Sequence, residues 1–489
     1  MIERIVRLPV GDKSPEARLL YGVDVREGLR RLPEASVHMA CTSPPFWGLR
    51  NYGTSSQVWG GRPECTHVWE ENRAYKDSPT RIGGEGAGFH DAGVTKTQRW
   101  TVSRVCSSCG AWEGEFGLEP NPEMYTAHLV EIFREIKRVL RPDGTVWLNL
   151  GDSYAGGGRA GSNPEYHAKH TMFGKTSDES EFGKFGLPQP IPEGLKAKAK
   201  DLVMIPFRAA LALQSDGWYV RNDIIWSKGN GMPESVRDRC TRSHEYVFLL
   251  AHPDSGGKYY YDASAIREGA AQPDRVRTDH FGGASWEERQ QHSEGGLFTG
   301  GTTRNKRTVW NVNPKPYPGA HFAVWPEELV EPMILAGTSA HGCCPTCGAQ
   351  WERLVEKPKP PERTDFNGKH KDTDQQNGGR RALSAAKAWR EAGMPHDSPF
   401  PPSVTKGWTP TCSCPNNEAT GRPVVLDTFS GSATTGAVAL RLGRNYVGLD
   451  LNEKYLGLAE ARIENRVPPD PNAGQIEEGS ALDVFGGDD

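Results

Sequence analysis

Apolar positions recur along the chain in two alternating rhythms. ARLLYGVD reads as a strand ending near Asp24, VREGLRRLP as a short helix with Leu29 and Leu32 on its apolar side, and SVHMACTS as a second strand. MYTAHLVEIFREIKRVLRPDG has helical spacing at Leu129, Ile132, Phe133, Ile136, Val139 and Leu140, with Pro142 and Gly144 ending it. TVWLNLGDSYA follows as a strand. DLVMIPFRAALALQSDGW predicts a helix, YVRNDIIWSK and HEYVFLLAH two further strands, and ELVEPMILAGT a short helix. Near the C-terminus, RPVVLDTFSGSATTGAVALRLGRNYVGLDLNEKYLGLAEARI gives strand, glycine-rich turn, helix, strand and helix. Strands alternating with helices predict an α/β fold with a mostly parallel sheet.

Between these segments the periodicity fades. The expected core pieces are 16–53, 119–155, 201–252, 313–340 and 421–467. They are interrupted by a loop-like insertion at 54–118, a mobile insertion at 156–200, an aperiodic stretch at 253–312 and a polar insertion at 341–420; an acidic tail, 468–489, is expected to be disordered. The 489 residues are 36% hydrophobic and 25% charged, a globular composition. A net charge of -4 means that any nucleic-acid surface must be a local patch. Basic clusters stand at Lys196, Lys198 and Lys200, at Arg237 and Arg239 around Asp238, and at Arg304, Lys306 and Arg307 ahead of Trp310. No apolar run approaches the roughly 20 residues of a membrane helix. MIERIVRLPV lacks the apolar centre of a signal peptide, so a cytoplasmic location is expected.

Two stretches carry chemistry. In DTFSGSATTG a strand runs into small residues, Gly431, Ser432 and Gly436, and then a helix whose first N–H groups are free for a ligand. Asp450 ends the next strand, where an acid can hold ribose hydroxyls. The turn is not G-x-G-x-x-G, which disfavours a dinucleotide. In TSPPFW, Pro44 and Pro45 fix their own φ and donate nothing, so hydroxyl and carbonyl oxygens can converge beside a ring. Acceptors beside a stacking ring suit the exocyclic amine of a planar base. The plain alternatives are a tight strand–helix turn and a proline-rich turn.

Together, TSPPF at 42–46 and DTFSGSATTG at 427–436 resemble the catalytic and S-adenosylmethionine motifs of amino-group DNA methyltransferases. Their order, catalytic motif first, resembles the permuted subgroup called the β class. The resemblance extends over most of the chain outside the insertions. It implies a Rossmann-like, circularly permuted methyltransferase sheet with inserted zinc-binding and target-recognition loops. It assigns catalysis to Ser43, Pro44, Pro45 and Phe46, and cofactor contacts to Asp24, Asp427, Phe429, Gly431, Ser432, Thr434 and Asp450. Trp226 and Lys228 match a strand that often walls the target-base pocket. Serine in the tetrapeptide resembles the N4-cytosine subgroup; N6-adenine is the alternative. The implied substrate is double-stranded DNA with the target base flipped out. Target recognition is placed in 156–200 and 253–312. RNA and protein methyltransferases usually place the cofactor motif first. A non-catalytic zinc protein on this scaffold is a further alternative, opposed by the intact Ser43, Phe46, Asp427 and Asp450.

The ten cysteines refine the insertions. Cys65 and His67 pair with the knuckle Cys106 and Cys109; Cys344 and Cys347 pair with Cys412 and Cys414. Four soft ligands per set fit tetrahedral structural zinc, two sites in all. Cys343 could replace Cys344, although the knuckle spacing favours Cys344. Cys41 and Cys240 read as core thiols. Trp47 belongs to either the pocket or the core.

Overall fold

The computed structural model describes residues 1–7, 14–50, 52–75, 100–155, 200–231, 234, 236–269, 276–277, 298–299, 303–315, 324–356 and 404–465. The chain divides into two compact units: Met1–Tyr259 with Val309–Val330 and Val424–Asp489, and Tyr260–Thr308 with Glu331–Pro423. In chain order the elements are β1 (Ile2–Arg7), β2 (Glu16–Tyr21), α1 (Val25–Arg30), β3 (Val37–Thr42), β4 (Gln57–Trp59), β5 (Trp69–Tyr75), β6 (Trp100–Cys106), β7 (Trp112–Gly114), α2 (Pro122–Val139) and β8 (Leu140–Leu150). Then come α3 (Ile205–Ser215), β9 (Tyr219–Ser227), β10 (His244–Ala251), β11 (Glu268–Gly269), β12 (Val276–Arg277), β13 (Phe298–Thr299), β14 (Thr303–Arg304) and β15 (Val309–Asn311). The last are α4 (Glu327–Gly337), β16 (Glu352–Glu356), β17 (Val404–Thr409), β18 (Val424–Asp427), α5 (Thr434–Arg441), β19 (Asn445–Asp450) and α6 (Leu456–Ile463).

The first unit is built on a nine-stranded sheet in the order β1-β2-β19-β18-β3-β8-β10-β9-β15. The run from β2 to β8 is parallel throughout. β3, VHMACT, is buried at every position, as a central strand covered on both faces must be. The chain order reverses between β18 and β3: β18 leads outward to β19, and β3 leads the other way to β8. In open α/β sheets the strand ends at such a switch point form the ligand crevice. Ser43 and Asp427 therefore reach the same edge, although they lie at opposite ends of the sequence.

α2 follows its apolar spacing. Asn121 caps it by accepting from the Met124 N–H at 2.7 Å, Pro122 opens it, and Leu129, Ile132, Phe133, Ile136 and Val139 are buried. It stops one residue earlier than the spacing predicts. Leu140 is already extended and opens β8, and Arg141, directly before Pro142, is kept from helical angles. The register against β3 skips from Leu140 to Thr145, so RPDG is a bulge inside the strand.

Several elements escaped the hydrophobic pattern. β1 pairs antiparallel with β2 at the sheet edge. β15 adds a parallel edge strand beside β9 from a stretch with no evident period. The segment 54–118, expected as loops, holds a four-stranded antiparallel sheet, β4-β7-β6-β5. Its Trp59 and Trp112 are buried in the first unit's core. Cys240 is exposed and is not the core thiol expected of it; it sits in a short irregular segment before β10, with no apolar face to bury it. Cys41 is buried as expected.

In the second unit, β16 and β17 form an antiparallel pair, as do β11 with β14 and β12 with β13. Buried Gln350 ties down the turn after α4, accepting from Ser339 N–H at 2.8 Å and donating to Gly337 O at 3.4 Å. Among the described residues, no helix is long and apolar enough to cross a membrane. The expectations for 156–199, with Lys196 and Lys198, and for the tail from 466 onward lie outside the described residues.

Candidate active site

The edge of the sheet is organised around Asp427. Its carboxylate is buried and accepts from Thr42 Oγ1 at 2.9 Å, Phe429 N–H at 3.1 Å and Thr435 Oγ1 at 2.7 Å. Asp427 thus fastens the end of β3 to the turn after β18 and the first turn of α5. Burial pushes its pKa up to about 6 against these three donors.

One residue past Thr42, Ser43 donates to Asn149 Oδ1 at 2.9 Å, and Asn149 Nδ2 donates to Tyr246 O at 3.1 Å. The second bond fixes which end of the amide faces Ser43. The serine proton is therefore committed to Asn149, and its lone pairs are left to accept from another group. Pro44 is buried, while Ser43, Pro45 and Phe46 are half-buried. The Pro45 carbonyl accepts from Tyr125 Oη at 2.9 Å. The Phe46 ring lies over Gly151, where a Cβ would sit 2.7 Å from ring carbons. Trp47 is packed against the core and donates its indole N–H to Glu119 O at 2.9 Å, which settles its place as a brace of this loop.

The glycine-rich turn is held from below. Tyr21 Oη donates to Gly431 O at 2.8 Å, and Ser430 Oγ lies 2.9 Å from Tyr21 Oη and 2.8 Å from Tyr446 Oη. Gly431 has φ +49°, and a Cβ there would meet nothing within 4 Å, so the turn faces open space. Its N–H donates to Asp450 Oδ2 at 2.7 Å, and Asn452 N–H donates to Asp450 Oδ1 at 2.8 Å. Burial pushes Asp450 up to about 6 as well. Ser432 and Thr434 hydroxyls both accept from Arg462 of α6, at 2.8 and 2.6 Å. Phe429 stacks on Phe116, with centroids 5.8 Å apart.

The other expected residues are more committed to structure. Asp24 caps α1, accepting from Arg26 N–H at 2.8 Å, and pairs with the Arg26 guanidinium at 2.9 Å. Its loop abuts the crevice, since Gly22 N–H donates to Asp450 O at 2.9 Å. Trp226 is buried and donates to Val312 O at 2.7 Å, so it fastens β15. Lys228 lies 4.3 Å from the centroid of that indole and is closed onto Glu245. The basic clusters are largely neutralised: Arg304 and Arg307 share Glu268 at 2.8 and 2.6 Å, Lys200 pairs with Asp238 at 2.7 Å, and Arg239 with Glu234 at 2.6 Å. Trp310 is buried and offers no stacking face.

Sequence reasoning missed Asn149, Thr42, Thr435, Tyr125 and Arg462. Asn149 had a signal, being the one polar side chain inside VWLNL, a run that is buried along its length. Thr42 and Thr435 stand inside the two motifs without a role of their own there, and Tyr125 and Arg462 read as ordinary helix residues.

Both cysteine sets come together. The ligand atoms of Cys65, His67, Cys106 and Cys109 lie within 4.8 Å of one another, as do those of Cys344, Cys347, Cys412 and Cys414. Cys65 Sγ and Cys106 Sγ are 3.9 Å apart, close to the ~3.8 Å that two thiolates keep on a tetrahedral zinc. Cys343 instead makes a two-way backbone bridge with Gly421, at 2.9 and 3.0 Å, leaving Cys344 to the cluster.

The donor set at the crevice fits S-adenosylmethionine: an open glycine turn and a strand-end carboxylate at a parallel switch point. Fold and site define an α/β enzyme of the S-adenosylmethionine-dependent methyltransferase class. The profile of the N6/N4 DNA methylase family matches residues 37–344 and 355–461. The chain is 30% identical over 443 residues to the Type II methyltransferase M.SmaI of Serratia marcescens, covering 91% of this chain and 89% of that one. It is 35% identical over 470 residues to M.XycI of Xanthomonas campestris pv. cyanopsidis, covering 95% and 93%. Among solved structures, the cytosine-N4-specific PvuII DNA methyltransferase aligns at a TM-score of 0.40 with 12% identity, over 92% of this chain and 89% of that one. The chain belongs to the N6/N4 DNA methylase family. It is a DNA methyltransferase, with S-adenosylmethionine as methyl donor and DNA as substrate.

Proposed function

We propose that the chain methylates the exocyclic N4 of cytosine in double-stranded DNA, as a permuted, β-class enzyme. The observation that carries this reading is the Ser43–Asn149 hydrogen bond at 2.9 Å, set beside the Thr42–Asp427 link. S-adenosylmethionine supplies an electrophilic methyl on a sulfonium. The residues of this chain supply position and acceptors. A base amine is a poor nucleophile because its lone pair is delocalised into the ring. Ser43 Oγ, its own proton given to Asn149, accepts one amino proton, and the Pro44 carbonyl accepts the other. That favours a pyramidal nitrogen and disperses positive charge as the new bond forms. Phe46 stacks on the flipped base, and Pro44 and Pro45 hold the acceptors still, so positioning carries much of the rate.

Asp427 holds the two halves together, Gly431 leaves room for the donor, and Asp450 accepts from ribose hydroxyls. Phe429, Ser432 and Thr434 line that side, and Asp24 stands beside it through its cap. Trp226 and Lys228 are farther from this reading, being closed onto Val312 and Glu245. Serine in the tetrapeptide favours cytosine; adenine N6 is the second reading. The two cysteine sets are proposed as structural zinc sites. The relatives are Type II methyltransferases, and the modification half of a restriction–modification pair is the role proposed here.

The test is digestion and mass spectrometry of DNA from cells expressing the protein. N4-methylcytosine is expected. N6-methyladenine alone would overturn the choice of base, and neither modification, with cofactor binding intact, would sink the catalytic assignment.

A further inference from the structure

The seam between the first insertion and the core, Glu115 to Glu119, touches both halves of the site and has no part in the chemistry above. The Glu119 carboxylate is fully buried; Oε2 accepts from Gly117 N–H at 2.8 Å, and Oε1 lies 3.1 Å from His128 Nδ1. His128 is itself buried between two indoles, with Trp59 and Trp112 centroids at 5.3 and 5.7 Å. A buried carboxylate is costly, and an apolar residue would pack this space without that cost. What the carboxylate adds is a fixed backbone.

That backbone holds the TSPPF loop. Gly117 O accepts from Gly48 N–H at 2.8 Å, and Glu119 O accepts from the Trp47 indole at 2.9 Å. Gly117 has φ +91°, and a Cβ on it would fall 2.9 Å from Pro45 Cβ and 3.3 Å from Pro45 O, so its peptide lies directly on the tetrapeptide. Phe116, next in line, stacks on Phe429 of the cofactor turn. Glu115 takes the Tyr52 and Thr54 N–H groups at 2.6 and 3.2 Å. One short segment thus spans the loop after β3 and the turn after β18.

We propose that Glu119, held by His128, is a positioning residue for the TSPPF loop, acting through the Gly117–Glu119 backbone without touching base or methyl donor. This rests on the assignment of catalysis to Ser43–Phe46. Without the carboxylate, Gly117 N–H loses its acceptor, the 117–119 peptides turn, and the anchors of Gly48 and Trp47 loosen. Ser43 then drifts from its acceptor position while Asp427 and Asp450 keep theirs.

The experiment measures methyl transfer to DNA, S-adenosylhomocysteine affinity by calorimetry and thermal unfolding for the parent, Glu119→Ala, Glu119→Gln and Trp47→Phe. A displacement of about 1 Å can lower a rate by about 100-fold, so Glu119→Ala is expected to lose roughly 10- to 100-fold in kcat. Its S-adenosylhomocysteine affinity should stay within about twofold, since the carboxylate holds the 117–119 peptides against the loop after β3, while the contact with the cofactor turn is made by the Phe116 ring. Glu119→Gln keeps an acceptor for Gly117 N–H and should recover most of the rate. Trp47→Phe removes the indole N–H together with part of a half-buried ring and should cost a smaller part of kcat. A folded Glu119→Ala at parental kcat, or one losing S-adenosylhomocysteine binding as steeply as rate, overturns the proposal. Should Glu119→Ala fail to fold, Trp47→Phe decides, and a parental kcat there overturns it. A parent that leaves DNA unmethylated overturns the functional reading instead, and this inference with it.

Discussion

Thr42 donates its hydroxyl proton to Asp427 Oδ1 at 2.9 Å, across 385 positions of the chain. The bond closes the gap between the strand that leads into Ser43 and the strand that opens the glycine turn. Thr42→Val keeps the side-chain shape and removes the donor. A buried acceptor left short of a partner costs about 1–3 kcal/mol. Denaturant unfolding should show that loss, with kcat falling alongside, because both halves of the site depend on Asp427. An unchanged midpoint and rate would mean that the link is incidental.

Asn149 and Ser43 make separable contributions. Ser43→Ala deletes an acceptor needed most as charge develops, and removing one such group typically costs about 100- to 1,000-fold in kcat. Asn149→Ala leaves the acceptor in place but frees its rotor, a loss nearer ~1.4 kcal/mol, or about tenfold. Both variants should bind S-adenosylhomocysteine like the parent. Equal losses in the two would mean that Asn149 does more than orient the hydroxyl.

Much of this was legible from sequence, and the remainder fails for identifiable reasons. The central strands are apolar throughout and the turn chemistry of DTFSGSATTG is local, so both stand out. β15 is three residues long and is held by parallel pairing with β9 and by the Trp226 indole on Val312 O; no local pattern encodes that. The 54–118 sheet escaped because β5 carries three charged residues in seven and because its core anchors, Trp59 and Trp112, sit in strands only three residues long. Asp24 matched a family position, yet the structure spends its carboxylate on the α1 cap and Arg26. Glu119 and His128 sit nine residues apart at the seam of insertion and core, where periodicity offers no guide.

With Asp450 proposed as the ribose acceptor, its raised pKa is expected to make cofactor binding pH-dependent. Asp427 and Asp450 are both raised to about 6 by burial. The sign is that of a raised carboxylate: their contribution to stability is fully present below the unfolded value of ~3.9 and is lost as pH rises through about 6. Binding runs the opposite way, since ribose hydroxyls need the ionised acceptor. S-adenosylhomocysteine affinity, measured by calorimetry, should therefore weaken as pH falls through about 6. Asp450→Asn should bind more weakly at neutral pH and lose most of that dependence. A flat profile for the parent would exclude Asp450 as the acceptor that titrates.

The two cysteine sets predict a metal count that mutation can divide. Four ligand atoms within 4.8 Å in each set leave no open coordination position, which is the arrangement of a structural zinc. Purified protein should hold about two equivalents of zinc. Cys347→Ser should lower that to about one, and Cys109→Ser should do the same through the other set. Their consequences should differ. Trp112 follows Cys109 by three residues and stacks on His128, so loss of the first metal should disturb the 115–119 segment and lower kcat. That pathway runs entirely within the first unit, from knuckle to Trp112 to the loop after β3. Cys347→Ser leaves it untouched, and its transfer rate on saturating DNA should fall less than that of Cys109→Ser. Metal analysis by mass spectrometry, paired with initial rates for the two variants, checks both halves. Equal rate losses would detach the first cluster from the catalytic loop, and a zinc-free parent would refute both sites.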